Sequence, residues 1–416
     1  MNPKRLALSL LTLALSGLGA QAQSLESWLP SATQVAPVLQ ASPQMQAARA
    51  RQQAQLQLAD GVETGSAEWT LRLNQQRRRI PETQERFGET NLSVERPLRL
   101  WGKAGMDRRL AGQDREVARI GLADALHEAS RQLLTDWFAA LRARLEVDSA
   151  DREWQLAREL DRQAQLRLRH GDISRLDARL AEAEAQRSEA QARLMQAELN
   201  RQRTRLQQVY PGLPEPRWPE AEAALPPLPS ESLTSALEDF LAHHHELQLL
   251  RAEAKRQQQL AERMERDRWP DPTVGVYAAR ERAGAEHVLG VTLSVPLSGR
   301  WRDSQARAAL AQTQALTHQV QELERRLGAE FEARWSQRVQ QQQALVALRA
   351  ASLTQTEAAQ KSLNAYTLGE HSMTELIQNR RLANEHQLAS QRLLLETVLQ
   401  HALIELDAHR LWDLDD

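Results

Sequence analysis

Few residues in this chain could do chemistry, and their spacing argues against most of it. Three consecutive histidines, His243-His244-His245, suggest a divalent-metal site. Facing pairs on a helix need i,i+3 or i,i+4 spacing, so adjacent rings diverge, and a solvated helix start is expected. His401 and the run Asp407-Ala408-His409 add no fuller ligand set. Acids gather in two short segments, each opened by a glycine. Asp172 and Asp177 follow Gly171, Glu370 and Glu375 follow Gly369, and Ser174 and Ser372 stand between. A Gly C-cap followed by a Ser N-cap is the ordinary grammar of a helical hairpin, and acids near a helix N-terminus are stabilised by its dipole. There is no phosphate-binding Gly loop, no nucleophile elbow and no pair of core carboxylates. No enzyme, metal site or cofactor is therefore expected.

Composition narrows the class further. With no cysteine there can be no disulfide framework, thiolate metal site or cysteine nucleophile. Lys4 and Arg5, an apolar run from Leu6 to about Leu15, and Ala20-Gln21-Ala22 read as a secretory leader over residues 1–22. That run is shorter than the roughly 20 residues of a membrane-spanning helix, and no later segment reaches that length without a charge. A mature chain that enters a membrane must then do so as a closed β-barrel. The formal charge of −2 is no footprint for nucleic acid. Aromatic residues make up only 4%, while Ala, Leu, Gln, Glu and Arg dominate, which favours long helices.

The elements that position the acids come in duplicate, offset by about 200 residues. Pro43–Ala50 answers His245–Ala252, and Leu92–Leu98 answers Val291–Leu297. Trp69 and Trp101 answer Trp269 and Trp301, while Gly171, Ser174 and Asp177 answer Gly369, Ser372 and Glu375. Each half starts with a helical stretch, Gln44–Gly61 or Glu246–Arg268. Alternating segments follow: Trp69, Leu71, Leu73 and then Leu92, Val94 in one half, Val274, Val276 and then Leu289, Val291, Leu293, Val295 in the other. Period two with one apolar face predicts strands. The polar stretches Gln75–Glu89 and Arg280–Glu286 are expected as hairpin loops, which places Arg77-Arg78-Arg79 in a loop. Long helices without proline are expected over Lys103–Arg169 and Arg302–Leu368, each about 100 Å at 1.5 Å per residue. Return helices Ile173–Val209 and Met373–Arg410 follow. The first helix plus the return helix nearly matches the long one, so two short helices could line up beside each. The predicted organisation is a first repeat over residues 23–209, a Pro-rich linker over 210–230 and a second repeat over 231–416.

On these landmarks the chain resembles the TolC-like outer membrane efflux proteins. They are the Pro43…Ala50 opening, the strand ends Ser93…Leu98 and Ser294…Leu297, and the two glycine–serine turns. The stretch Glu95-Arg96-Pro97-Leu98-Arg99-Leu100-Trp101-Gly102-Lys103 is also similar to the heavy-metal (cobalt-zinc-cadmium) branch, with Trp101 where that branch has glycine. The resemblance implies a mainly α fold with a small β part. Three protomers would close a 12-stranded transmembrane barrel that continues into a periplasmic α-helical barrel. Two hairpins per chain fall short of the eight-strand minimum, so a single copy cannot close alone. The resemblance further implies an exit duct working with an inner-membrane resistance-nodulation-division pump and a periplasmic adaptor. It places Asp172, Asp177, Glu370 and Glu375 in acidic rings at the channel tip, and Gly171, Ser174, Gly369 and Ser372 at the adaptor contact. The flanking Trp residues would form interfacial girdles and Arg72 would face the lumen, while Arg77-Arg78-Arg79 would lie in a loop outside the cell, either plainly solvated, the simpler account, or meeting anionic lipopolysaccharide. Export of drugs or of proteins by a type I system would use the same fold. Outside the channel class, the rival is a periplasmic coiled-coil adaptor, which carries one helical hairpin among β-rich modules.

Overall fold

The computed structural model describes residues 25–219 and 232–414, apart from 26, 298 and 413. The expected leader lies outside the described residues, as does most of the Pro-rich linker. The elements run α1 (Ala32–Ala41), α2 (Pro43–Thr64), β1 (Thr70–Arg79), β2 (Arg86–Pro97), α3 (Lys103–His170) and α4 (Arg175–Val209). They continue with α5 (Leu233–His243), α6 (His245–Asp267), β3 (Thr273–Glu281), a 3-10 turn (Arg282–Gly284), β4 (Glu286–Ser294), α7 (Arg300–Leu368) and α8 (Met373–Asp407). The long helices hold 68 and 69 residues. Their interiors are free of proline, and exposed pairs one turn apart line this helical surface, such as Glu159–Arg162 at 2.6 Å and Glu198–Arg201 at 2.6 Å. Such solvated pairs add little to stability, because water screens them. Among the described residues no helix is long and apolar enough to cross a membrane.

Two compact units divide the chain, and they cut across the sequence repeats. Of the described residues, one takes those in 47–124 and 245–326, the other those up to 46, in 125–244 and from 327 onward. In the first unit the four strands form one antiparallel sheet in the order β1-β2-β3-β4, so β1 and β4 are both edges. Here α2 lies along the start of α3, where Arg115 holds Asp60 and Glu63 at 2.7 Å each. In the same unit α6 lies along the start of α7, where Gln257 reaches the Ala309 carbonyl at 3.3 Å.

In the second unit the later parts of α3 and α7 carry α4 and α8. Ala143 and Val147 pack on Leu199, and Gln341 donates to Glu396 at 3.3 Å. Each long helix thus has a short partner beside its first part in one unit and another beside its last part in the other. The core of the second unit contains Trp28, Leu133, Leu134, Phe138, Leu345 and Val398, all buried, with Phe240 stacked on Phe331 at 4.7 Å. Trp137 donates to the Trp28 carbonyl at 2.8 Å and Trp412 to that of Pro30 at 2.9 Å, tying the two ends of the described chain to this core.

Three sequence expectations need correction. The first hairpin loop is residues 80–85 rather than Gln75–Glu89, so Arg77-Arg78-Arg79 is strand. The second loop shrinks from Arg280–Glu286 to residues 282–285. His243-His244-His245 is not a solvated helix start. His244 caps α5, His245 opens α6, and both are buried, because the chain breaks helix there and turns two of the three rings inward.

Candidate functional site

Two places concentrate unusual features: the paired helical turns of one unit and the sheet of the other. The turns are nearly superimposable in their hydrogen bonds. Gly171 and Gly369 both have φ +79°, the left-handed region that costs a side chain about 1 kcal/mol or more. Asp172 N–H donates back to the Arg167 carbonyl at 2.9 Å, and Glu370 N–H to that of Ala365 at 2.9 Å, closing each long helix. Ser174 and Ser372 then cap the return helices by accepting from the Asp177 and Glu375 amides at 3.0 and 3.2 Å.

The four acids divide into two kinds. Glu375 completes a capping box by accepting from the Ser372 amide at 2.8 Å, and this backbone bond, with the Ser372 hydroxyl, holds its carboxyl below the usual range. Asp177 accepts from the Ser174 hydroxyl at 2.7 Å. Local helix capping therefore occupies both. Asp172 and Glu370 are exposed, and their carboxylates have no side-chain partner among the described residues.

Beneath the turns, Leu160, Ala164, Ala181, Tyr366, Met373 and Leu376 form a small apolar core. Arg167 lies over the Tyr366 ring at 5.2 Å. The Tyr366 hydroxyl is buried without a hydrogen-bond partner among the described residues, and burial pushes its pKa up. Farther along, Glu184 of α4 takes Arg381 of α8 in a two-pronged pair and Arg187 at 2.7 Å. Burial pushes the Glu184 carboxyl up, but the two guanidiniums outweigh it and leave it below the usual range. A cavity of about 310 Å³ beside this pair is lined in part by Leu156, Leu363 and Arg380. Burial lowers the pKa of Arg380.

His401 and Asp407 belong to buried structural contacts in the same unit. Arg338 meets His401 Nδ1 at 2.5 Å, and burial lowers the imidazole to about 4. Asp407 pairs with Arg131 and Arg334, and His127 Nε2 lies 3.5 Å away. Among the described residues no group of three or more His, Asp or Glu is arranged to hold a metal ion. Abundant Arg and Glu in the sequence gave no signal that these particular pairs would meet.

The sheet has its polarity inverted. Along one face run Leu71, Val94, Val276 and Val291, then Leu73, Leu92, Ala278 and Leu289, as the strand register requires. This apolar face is open: Leu289 is 83% and Val291 82% exposed. The other face carries Arg72, Ser93, Glu95, Asn74, Asn91 and Glu89, with Ser93 at 7% and Glu89 at 4% exposure. Arg72 pairs with Glu95 there at 3.3 Å. Tyr277 lies across Gly290, where a Cβ would come within 2.5 Å of the ring, so a side chain there requires the ring to move. Trp69, Trp269 and Trp301 are exposed beyond the strand ends. Trp101 is exposed too, in a left-handed conformation (φ +59°) that a glycine would adopt more easily.

A sheet with apolar residues outside and polar residues sheltered, set on long paired helices, has the fold of the TolC-like outer-membrane channels. The solved CmeC outer membrane channel of Campylobacter jejuni matches with a TM-score of 0.72 at 12% identity, covering 94% of this chain and 85% of that one. The outer-membrane channel OprN matches at 0.73 and 19% identity (95% and 91% covered), and CusC at 0.68 and 12% (94% and 91%). In sequence the chain resembles the cobalt-zinc-cadmium resistance protein CzcC of Cupriavidus metallidurans, 27% identical over 224 residues. That match spans about half the length of each protein, 53% of both. No family model matches the chain.

Proposed function

We propose that this protein is the outer-membrane exit duct of a tripartite efflux pump and that it exports heavy-metal cations. The inverted sheet carries the reading. Exposed leucines and valines over sheltered polar residues make a poor surface in water and a natural one in lipid. Among the described residues the sheet has four strands and two open edges, and hydrocarbon tolerates no unpaired edge. Copies must therefore join edge to edge, and three of them give the 12 strands expected of this fold. Periplasmic helices then follow from α3, α4, α7 and α8, whose exposed surface mixes charged pairs with scattered leucines and valines.

At the turns, Asp172 and Glu370 are the free carboxylates of the proposed ring, with Asp177 and Glu375 adding charge while capping their helices. Symmetry would bring each acid to the duct axis in three copies, where mutual repulsion favours widening and bound cations favour narrowing. Gly171, Ser174, Gly369 and Ser372 form the proposed contact for a periplasmic adaptor, and an inner-membrane pump supplies the energy. The heavy-metal assignment rests on the partial likeness to CzcC and on the Glu95–Lys103 stretch. Fractionation of the expressing cell tests the class. The protein should band with outer membranes and run as a heat-dissociable trimer, and recovery as a soluble periplasmic monomer would refute the duct.

A further inference from the structure

The apolar face of the sheet does not fade into neutral loops. It ends in a fringe of cations. Beyond the row Leu73, Leu92, Ala278, Leu289, strand register and the alternation of side chains put Gln75, Thr90, Arg280 and His287 on the same face. Next come Arg77 opposite Gly88, and then Arg79 opposite Arg86. All four arginines are exposed. The strand acids of this region, Glu89, Glu281 and Glu286, belong to the opposite face, where Arg78 takes Glu89 at 3.2 Å and Glu281 at 3.9 Å. Among the described residues Arg77, Arg86 and Arg280 meet no carboxylate, and Arg79 donates only to the neutral Gln84 at 3.0 Å. The strand acids thus gather on the inner face, where Arg78 answers them, while the charged residues of the outer face above the apolar band are all cations. A merely solvated hairpin end has no need of such sorting, since mixed signs would serve it better.

We propose that Arg77, Arg79, Arg86 and Arg280 form a binding site for the phosphate groups of a phosphorylated lipid headgroup whose acyl chains lie on the leucine and valine rows below. The inference rests on the barrel reading, which puts that apolar face in lipid. Guanidinium is the side chain best matched to phosphate, because its fork of donors can engage two oxygens at once. Four such groups within two adjacent strand ends and a third strand can share more than one phosphate. The strand acids that would compete for them are turned to the other side of the sheet.

The full-length protein, reconstituted in phosphatidylcholine vesicles, is challenged with bis-phosphorylated lipid A or with the same lipid stripped of phosphate. Lipid retained per protein chain is then measured by mass spectrometry after detergent extraction at physiological salt. The wild type should retain the phosphorylated form preferentially. A variant carrying Arg77→Gln, Arg79→Gln, Arg86→Gln and Arg280→Gln should lose that preference by roughly tenfold or more, while the matching Arg→Lys set should keep most of it. Equal retention of the two lipids by the wild type, or an unchanged preference in the Gln variant, overturns the site while leaving membrane insertion intact. Failure of the wild type to enter even phosphatidylcholine vesicles overturns the barrel reading and this site with it.

Discussion

Removing the Glu184 carboxylate should loosen the end of the molecule where the two turns stand. Glu184 is 6% exposed and bridges α4 to α8 through Arg381, while also holding Arg187. Breaking a fully buried ion pair costs about 3–5 kcal/mol. The side chains of Arg381 and Arg187 are 49% and 43% exposed, so water recovers part of that loss, and Arg187 keeps Glu153. Hydrogen bonds to charged groups are worth about 1.5–3 kcal/mol, which puts Glu184→Gln near 2 kcal/mol. Amide hydrogen exchange in the facing parts of α4 and α8 should accordingly quicken by about 30-fold. Arg381→Ala should act alike, and the double variant should fall short of additivity by about 1 kcal/mol. Because the folded Glu184 pKa is depressed, the contribution is complete above the ordinary carboxylate value of 4.5 and is lost as pH falls through the lower folded value. Additive effects, or an exchange pattern that ignores pH below 4.5, would refute the assignment of this pair as the clasp between the two helical hairpins.

Replacing Gly290 by Val would drive a side chain into the Tyr277 ring, since a Cβ at that position would lie only 2.5 Å from the nearest ring atom, and assembled protein in the outer-membrane fraction should fall sharply. Tyr366→Phe removes a buried hydroxyl that has no partner among the described residues, so thermal stability should hold or rise by up to about 1 kcal/mol. Asp172→Asn with Glu370→Gln should lower the cation selectivity of single-channel current without altering stability, since neither carboxylate has a side-chain partner among the described residues.

Much of the architecture was written in periodicity. The alternation of Leu71, Leu73, Leu92 and Val94, and of Val274, Val276, Leu289, Val291 and Leu293, located all four strands, because an open apolar face has to repeat every second residue. Gln75–Arg79 reads as loop in the sequence because both faces of β1 turn polar there and the alternation vanishes, although the backbone ladder with Arg86–Thr90 continues. The helices α1 and α5 leave no clear signal in the sequence. Pro37 sits inside α1, where a proline argues against helix, and α5 is short and follows the Pro-rich stretch. The glycine–serine turns were legible because φ near +79° calls for glycine and a new helix start calls for a hydroxyl. Which acids those hydroxyls would occupy was not. The bridge from Glu184 to Arg381 spans 197 positions in a chain crowded with Glu and Arg, so only the packed helices could single it out.

Edge-to-edge closure of the sheet is the most direct test of the duct. Leu73 faces Leu92 as Val276 faces Val291, so the two hairpins correspond residue for residue across their own pairs. If the junction between copies repeats the internal one, in which Val94 faces Val276, then Leu293 stands opposite Leu73 of the next copy. The chain has no cysteine of its own, so Leu73→Cys with Leu293→Cys gives an unambiguous readout. Oxidation in the membrane should yield covalent dimers and trimers and nothing larger, with each single variant remaining monomeric on a denaturing gel. Cross-linking confined within single chains, or none at this register and its two-residue neighbours, would contradict a barrel shared among copies.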